Sequence, residues 1–223
     1  MNFLELCQET ARLCEITGGG PVTIASATGE NAQVVRWTRN SWTFIQGIHE
    51  WAFLRSRLSF NTVVDQAEYL PADMSAASIR RLDPETPRMY LASAGVVDEQ
   101  HLVEWSEREY EDSHEFGLQI AGRPAVFAWR QATRSMLLGP KPGAVYTVAG
   151  WYWRQPVQLA GDNDEPAIDS SLHMIIPYRA AMMYANREAA QELKMEAIEN
   201  YGHLLDQMMR LYLPEIGPGG PIA

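Results

Sequence analysis

Six carboxylates crowd one short stretch: Glu104, Glu107, Glu109, Glu111, Asp112 and Glu115. Paired carboxylates are the apparatus of acid–base hydrolysis, but crowded along one short helix they read as a solvated face. Asp162-Asn163-Asp164-Glu165 offers oxygen ligands of the kind that hold calcium. It lacks the loop with central Gly and terminal bidentate Glu that such a site needs, so it reads as a solvated acidic loop. His49 reads as a half-buried histidine on a Trp-rich helix. His173 and His203 lack the spaced partner of a His-Glu-x-x-His zinc site, and His101 and His114 sit in acidic, solvated surroundings. Cys7 and Cys14 are about 10 Å apart along one helix, too far to bridge, and read as small buried hydrophobes. Gly18-Gly19-Gly20 has neither the preceding strand nor the following Lys-Ser/Thr of a phosphate loop, and no Gly-x-Ser-x-Gly elbow occurs. These residues assign no catalytic residue, no metal ligand and no cofactor, and the expectation is a protein that is not an enzyme.

The chain that must position these groups has 223 residues, 46% of them hydrophobic and 21% charged. That is the balance of an ordinary globular protein, one domain or one domain with an insertion. Its net charge of −10 argues against wrapping nucleic acid, which needs Lys and Arg to displace counterions. The basic residues look scattered: Arg80-Arg81, Arg123, Arg130 and Arg134 could at most touch phosphates or pair with acidic neighbours. Met1 to Leu6 carries Glu5 and no basic residue, so no secretory leader is expected. The best apolar run, His173 to Ala185, is interrupted by Pro177 and Arg179, so no membrane span is expected.

Periodicity places helices at both ends and strands between. Phe3, Leu6, Cys7, Thr10, Leu13 and Cys14 form one helical stripe, predicting a helix over Phe3 to Ile16 ended by the glycines. Thr28 caps a second helix, which continues from Ala32 to Phe53 on Val34, Thr38, Ser41, Trp42, Ile45, His49 and Ala52. Arg57 to Asn61 alternates as a strand, with Glu68 to Leu70 pairing beside it. Ser78 to Asp83, Arg88 to Ala92, Leu102 to Trp105, and a hairpin of Ala125 to Trp129 with Ser135 to Leu138 follow. Ser106 caps a helix to Phe116, stopped by Gly117. Val145 to Arg154 alternates most cleanly. Asp169 or Ser170 caps a helix to Arg187, kinked by Pro177 or holding it in its first turns, and a last helix covers Ala189 to Leu211 on Leu193, Ala197, Leu204, Met208 and Leu211.

A helix with one apolar face needs a partner. The predicted fold is α+β: a bundle of about four helices from both chain ends, an inserted antiparallel β-domain and an extended C-terminal tail. Its parts are residues 1–56 and 162–211 for the bundle, 57–161 for the β-rich insertion with its short acidic helix, and 212–223 for the tail.

Three stretches carry a family resemblance. One is Phe3-Leu4-Glu5-Leu6-Cys7 running into a Gly-rich break and a Thr-Gly-Glu helix start. Another is Val35 to Gln46, rich in Trp and Arg, leading to Trp51-Ala52-Phe53-Leu54 and a strand. The third is Leu172 to Ala181, followed by a small-residue break and a Glu-rich helix. In this order the chain resembles the head–tail adaptor (connector, or tubular adaptor) proteins of tailed bacteriophages. The resemblance implies a structural virion protein, made in the bacterial host cytoplasm and placed at the neck between head and tail. It implies a homo-oligomeric ring of about twelve copies under the portal, which extends the DNA channel and docks tail or neck proteins. DNA would pass through the lumen without specific binding, since about twelve copies at −10 repel phosphates. Candidate inter-subunit residues are Trp37, Trp42, Met182, Tyr184, Met208 and Met209. Portal-docking candidates are Tyr212, Leu213, Pro214, Ile216, Pro218, Pro221 and Ile222, and tail-facing candidates are Pro140, Lys141 and Pro142. Two alternatives share the same sequence: another neck or tail-completion protein, or a small enzyme built on Glu104 to Glu115.

Overall fold

In a computed structural model, residues 1–76, 78–116 and 120–213 are described. The chain divides into two compact units, Met1–Phe53 with Pro156–Ala223, and Leu54–Gln155. The α+β expectation holds, with the four long helices in the first and the strands in the second.

The first unit is built from α1 (Phe3–Leu13), α2 (Gly29–Ile48), α4 (Ile175–Glu188) and α5 (Gln191–Tyr212). Asn2 starts α1 through a reciprocal capping box with Glu5, which satisfies two donors that a helix start leaves open. The predicted stripe is buried: Phe3, Leu6, Cys7 and Thr10 face inward. At the contact with α2 the Thr10 and Thr38 hydroxyls meet at 3.1 Å, while each is also bonded to the carbonyl one turn back, Leu6 and Val34. After α1 the chain returns close to it at Gly20, whose φ is +97°. A Cβ there would sit 3.0 Å from the Gln8 Cα, so both the backbone angle and the space call for glycine.

α2 ends at Ile48, five residues before the predicted Phe53. Tertiary bonds decide the end. Gln46 donates to the Val157 carbonyl and accepts from the Val157 N–H, both at 3.0 Å. Trp51 folds back and its indole N–H donates to the Ile45 carbonyl at 2.7 Å, taking an acceptor that a helix end leaves open. α4 packs against α1, α2 and α5. Pro177 lies in its first turn, where a missing N–H costs nothing. The turn to α5 passes through Ala189 in the left-handed region, φ +56°.

The second unit is two sheets around one core. Strands β1 (Arg55–Asn61), β9 (Tyr146–Arg154), β4 (Arg88–Leu91) and β5 (Gln100–His101) form one sheet in that order, with β3 (Ile79–Leu82) also on β9. The other runs β2 (Glu68–Tyr69), β8 (Ser135–Gly139), β7 (Val126–Arg130), β6 (Val103–Trp105). Leu58, Phe60, Met89, Val148 and Tyr152 from the first meet Tyr69, Phe127, Met136 and Leu138 from the second. The alternation read in β9 is observed: Tyr146, Val148, Gly150 and Tyr152 are buried, and Trp151 is turned out.

Two pairings differ from expectation. β2 pairs with β8, not with β1. β6 runs parallel to β7, because twenty residues separate Trp105 from Val126, enough for the crossover that a parallel pair requires. Within that crossover Ser106 caps α3 (Glu107–Tyr110) as predicted, but the helix then widens to a π-turn over Glu111–Glu115. The predicted stop, Gly117, lies outside the described residues. Tyr110 packs with Ala128 and Leu137 on the outer face of the second sheet.

Candidate functional site

The acidic stretch is not a free solvated face. Arg130, at the end of β7, gathers it: its guanidinium reaches Glu115 at 2.7 Å, Glu107 at 3.1 Å, Glu68 at 3.3 Å and Glu111 at 4.0 Å. Glu68 also accepts from Ser135 and Thr133. The Ser135 hydroxyl, then Thr133 and Arg130, hold its carboxyl below the ordinary value, against the desolvation that raises it. Glu109 is spent on the Ser106 cap and is likewise lowered. A general acid at neutral pH needs a raised carboxyl. Each carboxylate here whose pKa is shifted is shifted down, so the geometry is that of a clasp holding α3 to the sheet.

His114 is half-buried rather than solvated. Its ring stacks on Trp105 at 5.5 Å and leans on Tyr110 at 5.3 Å, directly over Gly139. The Tyr110 hydroxyl donates to the Leu138 carbonyl at 3.0 Å, and burial pushes it up to about 12.

The acidic loop at Asp162 is also structural. The Asp164 and Asp162 carbonyls accept from Phe3 and Leu4 at 2.7 and 3.1 Å. The Asp162 carboxylate accepts from the Ile24 N–H at 2.7 Å, and that of Asp164 from Ala160 and Gly161. The loop therefore clamps the start of α1 and the glycine-rich return. His173 is buried, with its Nε2 3.2 Å from the Ile168 carbonyl and its Nδ1 2.8 Å from the Met1 nitrogen. Desolvation leads in lowering its pKa. His49 packs edge-on to Trp51. Burial pushes both Cys7 and Cys14 up to about 12. Among the described residues, no group of three or more His, Cys, Asp or Glu is placed to hold a metal ion. No described helix is long and apolar enough to cross a membrane.

The residues chosen for surface contact divide. Trp42 is 2% exposed and stacks on Phe53; Trp37 and Met208 are also core. These three are corrected from surface to interior, because each completes the packing of its own chain. Met182, Tyr184 and Met209 are half-buried. Tyr212 is the last helical residue, its ring against Phe53 and its hydroxyl accepting from the Asp169 N–H at 2.8 Å, so it anchors α5 instead of starting a tail. Leu213 caps α5, and Pro214, Ile216, Pro218, Pro221 and Ile222 lie outside the described residues. The Gly139 to Gly143 turn is not an open tip: Pro142 is buried and bridged to Gly122, and Lys141 pairs with Asp65 at 3.1 Å.

Sequence reading missed the surface that stands out most. α5 has 22 residues but buries only Ala197 and Met208. Met195, Ile198 and Leu211 are 72, 50 and 63% exposed. Only Leu211 lies on the stripe that periodicity predicts; Met195 and Ile198 fall on the other side of α5, outside it.

The model for the family described as SU10 adaptor protein matches residues 1–213. The chain belongs to that family. This adaptor is a tailed-phage protein and a component of the virion, whose partners are other phage head and tail proteins. No curated protein matches it.

Proposed function

We propose that this adaptor closes into a ring of about twelve copies beneath the portal, at the neck, extends the DNA channel and presents the tail with its docking surface. The observation that supports this most is α5, a long helix whose own chain leaves Met195 and Ile198, neighbours one turn apart, 72 and 50% exposed. Exposed apolar groups on one helix mark a contact surface, and repeated contacts of one kind close a ring. Met182, Tyr184 and Met209, each half-buried, are the other proposed inter-subunit residues. The charge of −10 per copy suits a lumen through which DNA slides, since like charges repel at short range. Residues 213–223 are the proposed portal-docking arm, and Pro140 and Lys141 keep enough exposure to face the tail.

Met195→Glu with Ile198→Glu tests the contact surface. The expected result is unchanged thermal unfolding with loss of assembly on portal rings. Normal assembly would remove α5 from the interface. Deleting Leu213 to Ala223 tests the arm: portal binding should vanish while the fold remains, and unchanged binding would discard the arm.

A further inference from the structure

Four arginines far apart in the sequence are gathered by the first sheet. Residues directly paired across strands share a face. Arg55 lies opposite Trp153, Arg57 opposite Trp151, Arg81 opposite Trp153, and Arg88 opposite Ala149. Four arginines and two tryptophans thus share the outer face of one sheet, while its inner face fills the core. Arg55 covers the Trp151 ring at 4.9 Å and bonds Asp83 at 2.6 Å, and Arg88 pairs with Glu99 at 3.0 Å. Arg57 has no ion pair or hydrogen bond among the described residues. It lines, with Arg88, Thr86 and the 41% exposed Trp151, a hollow of about 220 Å³.

The charge of the chain is divided unevenly. The helical unit holds 15 Asp and Glu against 7 Lys and Arg, a net −8, and the β unit 13 against 11, a net −2. The helical unit also carries a groove of about 550 Å³ where α1 ends and α4 turns into α5. Half-buried Leu13, Tyr184 and Leu193 line it, together with the exposed Glu15, Glu188, Glu192 and Glu196. An arginine–tryptophan face and a glutamate-lined groove are complementary in charge. Arg and Trp are the side chains that most often anchor interfaces.

Resting on the ring proposed above, we infer that the Arg57–Trp151 sheet face of one copy docks on the Glu188–Glu196 groove of the next. The contact joins two different patches, so it is head-to-tail, the kind of contact from which a closed ring is built. Opposite charge sets its direction and register. Arginine also suits phosphate, but a chain at −10 opposes a polyanion, so a second copy is the better fit.

The experiment reverses charge on each side. One variant carries Arg57→Glu and Arg88→Glu, the other Glu188→Arg and Glu196→Arg. Arg57, Arg88, Glu188 and Glu196 are exposed, and the surface pairs lost, Arg88–Glu99 and Arg187–Glu188, contribute little to stability, so unfolding curves should stay close to wild type. Assembly is read as copies bound per portal ring against concentration. Each variant alone should need at least about tenfold more protein, as for lost interfacial charge pairs. An equimolar mixture, and a chain carrying all four changes, should assemble like wild type. Arg variants that assemble normally, or paired variants that never rescue one another, overturn the pairing while leaving the ring. Arg variants that assemble but lose duplex DNA retained by wild-type rings assign the face to phosphate instead. Wild-type protein that never assembles overturns both the ring and the pairing.

Discussion

Replacing Arg130 with Met removes one cation and leaves Glu68, Glu107, Glu111 and Glu115 crowded around its place. Breaking a buried ion pair by deleting one partner costs about 3–5 kcal/mol. Arg130 is only 17% exposed, but its carboxylates are 33–44% exposed, so water offsets part of the loss. About 2 kcal/mol is expected at pH 7, which for a unit of this size lowers the melting temperature by about 10 °C. The pH dependence separates the clasp from simple loss of packing. In the wild type the Glu68 pKa is lowered from 4.5, so its contribution is complete above that value and fades as pH falls through the folded pKa. In the variant the sign reverses, because crowded carboxylates without their cation are relieved by protons: the deficit should shrink between pH 7 and pH 5. Differential scanning calorimetry of both proteins across that range measures it. A variant that melts like wild type at pH 7, or whose deficit does not change with pH, would refute the electrostatic reading.

Other outcomes follow from single contacts. Gly139→Ala would place its Cβ 2.4 Å from the His114 ring, which Trp105 and Tyr110 keep from moving, and overpacking of this kind costs about 2 kcal/mol; denaturant unfolding should show most of it recovered by His114→Ala. His173 has a lowered pKa, so its contribution is complete above 6.5 and is lost as pH falls below; unfolding of wild type should weaken from pH 7 to pH 5 more than that of His173→Gln. Cys7 and Cys14, with thiols near 12, should resist iodoacetamide in the folded protein at pH 8 and react once it is denatured; rapid labelling of native protein would contradict their burial.

Local patterns were legible where one element settled its own fate. The α1 stripe, the β9 alternation, the β7–β8 hairpin and the Ser106 cap all read directly from spacing. The end of α2 did not, because Gln46 finds Val157 across more than a hundred residues and Trp51 caps Ile45 only once the chain has turned. The same holds for the candidate chemistry. Glu107 and Glu115 read as solvated because Arg130 arrives from another strand, and Asp162 because its donors belong to the far end of the chain. Trp42 reads both as part of the α2 stripe and, with Trp37, as a contact residue, because a bulky aromatic at helical spacing looks the same inside and outside. Of the arginine face only Arg57 opens the predicted strand, and the observed strand and sheet order bring Arg55, Arg81 and Arg88 beside it. Periodicity reports which residues share a face; it does not report what covers that face.

The most direct test of the adaptor assembly is the native mass of the full chain, alone and mixed with a candidate portal ring. The ring reading predicts about twelve copies joining each portal. A chain that stays a monomer or dimer and ignores the portal would contradict it.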